Sequence, residues 1–116
     1  MPDAEIVLRR LRAICVKLPG AEEIVTWGHP SFRVDKKIFA VLDHYYGRPC
    51  IAFRASEKEQ TKLLRDKRFF PAPYAAAQGW VCLRADGELE WSDVRGLLVA
   101  SFRVVAIKRM LSALDG

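Results

Sequence analysis

EIVTWGHPSFRVDKKIFAVLDHYYGRPCIAF, residues 23–53, is the stretch that decides the fold. Four short runs within it are rich in β-branched and aromatic residues. They are Ile24, Val25 and Trp27; Phe32 and Val34; Lys37-Ile38-Phe39-Ala40-Val41-Leu42; and Cys50-Ile51-Ala52-Phe53. Asp35-Lys36 is a tight-turn candidate between the second and third runs. Tyr45 to Pro49, containing Gly47, is a looser turn between the third and fourth. The stretch therefore reads as about four strands joined by hairpins whose turns protrude as tips.

Outward from this centre the pattern becomes helical. On the N-terminal side Asp3 can cap a helix with Val7, Leu11, Ile14, Cys15 and Leu18 inside and Glu5, Arg9 and Arg12 outside, stopped by Pro19-Gly20. On the C-terminal side Ser56 and Glu59 have the spacing of a capping box for a short charged helix running to about Arg65. Phe69-Phe70-Pro71-Ala72-Pro73-Tyr74 reads as an ordered aromatic loop, because two prolines rule out a central strand. Trp80-Val81-Cys82-Leu83 reads as a further strand, ended by Asp86-Gly87. Ser92 and Asp93 then open one long helix with Val94, Leu97, Leu98, Phe102, Val105 and Leu111 inside. The order α-β-β-β-β-α-β-α predicts an α+β fold of two layers, an antiparallel sheet of about five strands with helices packed on one side. Residues 1–116 contain no repeat, linker or low-complexity tract, so a single domain is expected.

With 51% hydrophobic and 28% charged residues the chain is too apolar for disorder and too interrupted by charge for a membrane span. Met1-Pro2-Asp3 leads directly into Glu5, Arg9, Arg10 and Arg12 without an apolar leader, which gives a cytoplasmic location as the expectation. Cys15, Cys50 and Cys82 are odd in number, far apart and flanked by apolar residues, the pattern of buried reduced thiols. None of them pairs with another cysteine, or with His29 or His44, at metal-ligand spacing, so no metal is expected. Nor is a cofactor, because the seven glycines are isolated and form no phosphate loop. Without a nucleophile motif the chain reads as non-enzymatic. Nineteen basic against fourteen acidic residues give a net charge of +5, a bias towards polyanionic partners.

Several strings carry a resemblance. Leu18-Pro19-Gly20-Ala21-Glu22-Glu23, Trp27-Gly28-His29-Pro30-Ser31-Phe32-Arg33-Val34, Lys37-Ile38-Phe39-Ala40, Arg68-Phe69-Phe70-Pro71-Ala72-Pro73-Tyr74 and Gly79-Trp80-Val81 are similar to the MmcQ/YjbR-like proteins. The similarity runs over essentially the whole chain. It implies a CyaY-like or secretion-chaperone-like α+β fold with a double-wing motif, together with the DNA-binding label that the family carries. Asp35-Lys36-Lys37 departs from the glycine typical of the family at that turn, which makes the tip more basic. Iron handling, as in frataxin-type relatives of the fold, needs an acidic helical ridge, whereas the first helix here is net basic.

Two constellations follow. If the hairpins are wings, Lys36 and Lys37 on one tip and Tyr45, Tyr46 and Arg48 on the other supply cations for phosphates and aromatic rings for bases. Trp27, His29, Arg33, Arg68, Phe70 and Tyr74 are the candidates for the rim of a groove that receives a base, a peptide or a small anion. Arg95, Arg103, Lys108 and Arg109 spread around the axis of the last helix at about 100° per residue, which argues against a recognition helix. That helix has a wide apolar surface, so a protein-binding module is the alternative to a nucleic-acid partner.

Overall fold

The computed structural model describes residues 4–45, 47–73 and 75–115. Asp3, Tyr46 and Tyr74 lie outside the described residues. Helical spacing of Val7, Leu11 and Cys15 produces α1 (Ala4–Cys15), with these three side chains buried. The central stretch forms an antiparallel meander of β1 (Ala21–Thr26), β2 (His29–Val34), β3 (Lys37–Tyr45) and β4 (Arg48–Arg54). Next comes α2 (Glu57–Leu63), where Ser56 Oγ accepts a hydrogen bond from the Glu59 amide at 3.2 Å, half of the expected capping box.

The sheet has six strands rather than about five. β5 (Phe69–Pro71) is a three-residue strand at the sheet edge, and β6 (Trp80–Arg84) lies between it and β4, in the order β1-β2-β3-β4-β6-β5. The prolines that exclude a central strand are compatible with an edge, where one side of the backbone needs no ladder partner. A 3-10 turn, Ala76–Gln78, joins β5 to β6. Gly79 closes it at φ 91, where an added Cβ would lie 2.6 Å from the Ala55 carbonyl oxygen.

The long C-terminal helix divides into α3 (Trp91–Val105) and α4 (Lys108–Asp115). Ala106 leaves the helix at ψ 147, after the β-branched pair Val104-Val105. The break brings Met110, Leu111 and Leu114 against the core, and Arg103 pairs with Asp115 at 2.6 Å. The N-cap of α3 is Glu90 rather than Ser92, whose hydroxyl donates to the Glu90 carboxylate at 3.1 Å.

One sheet face carries the core against α1 and α3. Register aligns Phe32, Ala40, Phe53 and Val81 in a row across four strands. The register of β2 on β3 shifts between Phe32 and Arg33, and Phe39 and Ala40 are both fully buried. Phe39 meets Phe102 of α3 edge-on, with centroids 5.5 Å apart. Beside them Ser101, also fully buried, donates from Oγ to the Phe39 carbonyl at 2.6 Å and accepts from the Arg54 amide at 2.8 Å. The opposite face is only partly covered: Cys50, Ala52 and Cys82 are buried with Ala72 of the segment after β5, next to half-buried Val41, Tyr45, Phe70 and Trp80. Among the described residues no helix is long and apolar enough to cross a membrane.

Replacing Ser101 with alanine removes the hydrogen bonds to a part-buried amide and to a buried carbonyl, the latter worth about 1–3 kcal/mol when left without a partner. The expected loss is about 2–3 kcal/mol, read as a lower urea midpoint at unchanged slope.

Candidate nucleic-acid interface

Arg10 lies on α1 and Lys17 in the turn that follows it, seven residues apart and therefore on the same side of the helix axis. Opposite them stand Trp91, Ser92 and Arg95 on the first two turns of α3. These residues line a groove of about 440 Å³ between the two helices, in which every charged lining side chain among the described residues is a cation. The Arg10 guanidinium stands 5.9 Å over the Trp91 ring, so the aromatic face fixes one of the three charges. A larger groove of about 730 Å³, between α2 and the start of α3, has an apolar floor that includes Leu63, Phe69 and Leu97. Its rim carries four basic and six acidic residues, which gives no net attraction for a polyanion.

Elsewhere among the described residues five arginines, Arg12, Arg33, Arg48, Arg68 and Arg103, are paired with carboxylates. Arg12 binds Glu23 with two bonds of 2.6 and 2.9 Å, and this hydrogen bond holds the Glu23 carboxyl below its ordinary pKa. Arg33 binds Glu22 at 2.7 Å and Arg68 binds Asp66 at 2.8 Å. Arg54 and Arg84, on the partly covered sheet face, have no carboxylate within 4.0 Å among the described residues. Arg54 donates to the Gln78 carbonyl at 3.1 Å while its Nε is buried without a partner, and Arg84 stands 4.8 Å over Phe70.

The residues expected on joint wings are not brought together. Successive tight turns of a meander point to opposite ends of the sheet, so Lys36 and Lys37 stand at one end and Arg48 at the other. The nine residues of β3 separate them, about 27 Å at about 3.3 Å per residue. Arg48 is moreover paired with Asp86 at 3.2 Å. The expectation of two adjacent basic tips is corrected on both counts. The turn itself forms with Asp35 at φ 49 and Lys36 at φ 66, a mirror-image geometry reached without the glycine that such turns favour.

The expected groove set is also split. His29 Nε2 lies 3.3 Å from Asp43 Oδ1, on the strand beside it. Tyr45 is half-buried and meets Phe70 edge-on at 6.0 Å, and burial followed by the nearby Asp43 charge pushes its hydroxyl well above its usual range. Arg33 is engaged by Glu22. Arg68 lies by β5, four strands from His29 and about 19 Å away at about 4.8 Å per strand. Trp27 stands apart at the β1–β2 tip, 93% exposed.

Sequence reasoning missed Arg10, Lys17 and Arg95. The seven-residue spacing of the first two was legible, but that α3 would set Arg95 beside them was not.

All three cysteines are buried and free. Burial, then the nearby Glu23 charge, pushes the Cys15 thiol far up; a hydrogen bond with Cys82, then burial, does the same for Cys50. A group whose folded pKa is raised supports folding fully below its unfolded pKa and loses that support as pH rises past it. Native protein is therefore expected to resist a thiol reagent such as dithionitrobenzoate at pH 8 and to react fully once unfolded. Its urea midpoint should decline above the ordinary thiol pKa of about 9.

A family model described as YjbR matches residues 16–104. The crystal structure of DR2400 from Deinococcus radiodurans, with domain DUF419, is similar with a TM-score of 0.76 over 93% of this chain and 87% of that one. The two are 18% identical, so the likeness is one of fold. No curated protein matches the chain.

Proposed function

This chain belongs to the YjbR family, and on that premise we propose that it is a non-catalytic nucleic-acid-binding domain, DNA being the first candidate. Its phosphate contacts come from Arg10, Lys17 and Arg95 in the groove between α1 and α3. The observation that carries the reading is the charge of that groove: among the described residues three cations line it and no carboxylate does. Spaced cations on a firm scaffold release counterions from a polyanion, which supplies most sequence-independent affinity.

α3 is not a recognition helix in this reading. Val94, Leu98, Ser101, Phe102 and Val105 are buried against the sheet, so the helix cannot enter a major groove with that face. It serves instead as one wall of a phosphate-binding groove. The non-catalytic part of the proposal is supported by the surroundings of His29. Its imidazole faces Asp43, but the nearby Ser31 is fully buried and donates its hydroxyl to the His29 carbonyl, so it is not directed at the imidazole.

Neutralising three phosphates gives a log-log salt slope of roughly −2 to −3, depending on single or double strand. Arg10→Ala, Lys17→Ala and Arg95→Ala are each expected to reduce that slope by about one, whereas Lys36→Ala leaves it unchanged. Fluorescence-anisotropy titrations of a short oligonucleotide at several salt concentrations measure this. A flat salt response in the unaltered protein contradicts the proposal.

A further inference from the structure

Trp27 and Gly28 form a two-residue hairpin turn between Thr26 and His29, with φ of 54 and 79. Both values lie in the left-handed region, the geometry of a type I′ turn, which favours Asn-Gly and penalises a bulky side chain in the first position. The residue that accepts this strain is also the most exposed large apolar side chain described, at 93%. Among the described residues it has no aromatic or cation-π partner, and nothing lies within 4 Å of a Cβ built on Gly28. The fold thus gains neither packing nor turn stability from a tryptophan here. A strained and exposed residue that the fold does not use points to a ligand.

The setting narrows the ligand. Cross-strand pairs from Ala21↔Val34 to Thr26↔His29 hold the ribbon in register up to the turn, so the ring is carried on a firm arm. A protein hot spot sits near the centre of a patch of about 800 Å² per partner, whereas Trp27 stands at the extremity of a narrow hairpin. A flat ring needs only one free face of the indole, and every nucleobase offers such a ring once it is unpaired. In a duplex the bases are already stacked on one another, and opening a step costs a few kcal/mol. The β1–β2 turn lies at the same sheet end as the turn at Gly47, about 10 Å away at about 4.8 Å per strand.

We propose that Trp27 stacks on an unpaired nucleobase, so that the polyanion this domain binds is single-stranded. The inference rests on the nucleic-acid reading above and deepens it. Phosphate contacts in the helical groove supply affinity without regard to strandedness, and the indole at the tip supplies the preference for unpaired bases.

The test uses the full chain, a fluorescently labelled twelve-residue deoxythymidine oligomer and a duplex of the same length. Trp27→Ala is expected to weaken the single-strand complex about tenfold and the duplex complex less than twofold, with the salt slope retained. Trp27→Phe should keep most of the affinity. Trp27→Asn should raise the urea midpoint, because Asn-Gly suits the turn, while losing single-strand affinity as alanine does. That split separates a ligand contact from a structural role. Equal losses on both oligomers, or none on either, with the salt slope still steep, overturn the stacking inference and leave phosphate binding standing. If the unaltered protein binds neither oligomer, both readings fail.

Discussion

The hydroxyl of Ser101 joins the two layers of the domain. It reaches from α3 into the sheet, donating to the Phe39 carbonyl and accepting from the Arg54 amide, at the place where two adjacent strands would otherwise leave both groups unpaired in the core. Two backbone polar groups, one of them buried, are satisfied by one side chain, and α3 is thereby fixed in rotation and height over β3 and β4. Phe39 and Phe102 then close edge-on beside it. With α3 held there and α1 tied to β1 through Arg12 and Glu23, the helices expose Arg10, Lys17 and Arg95 along their shared seam. The positive groove is a consequence of how the core is pinned.

Strand connectivity imposes the second constraint. In a meander each tight turn reverses the chain, so turns one apart in sequence lie at opposite sheet ends and turns two apart lie at the same end. The tip at Asp35-Lys36 is isolated by this rule. The tip at Trp27-Gly28 shares its end with the turn at Gly47. The aromatic tip therefore shares its sheet end with the Gly47 turn and not with the basic tip, and Asp86 holds the nearby Arg48.

Much of the fold was legible in the sequence because its signals are local. Runs rich in β-branched and aromatic residues between turn residues marked the four-strand meander, and Ser56 with Glu59 marked the start of α2. What escaped depends on distant partners. Phe69–Pro71 pairs with β6 across an intervening turn, and no local pattern distinguishes an edge strand of three residues from an ordered loop. The break at Ala106 lacks proline or glycine and follows from the packing of Met110, Leu111 and Leu114 on the core. The candidate site was harder still. Lys36, Lys37 and Arg48 are conspicuous in sequence because they flank turns, yet turn alternation separates the two lysines from Arg48, and Asp86 neutralises Arg48. Arg95 looked scattered around its own helix axis and gains its meaning only from Arg10 and Lys17 on another helix.

The central claim is that phosphate is held in the seam between α1 and α3. Its most direct test is a nitrogen–proton correlation spectrum of the labelled protein titrated with a short single-stranded oligonucleotide. The account expects shift changes at Arg10, Lys17, Ser92 and Arg95, with the Trp27 indole signal moving at the same ligand concentration. Changes confined to Asp35–Lys37, or none at saturating oligonucleotide, would contradict it.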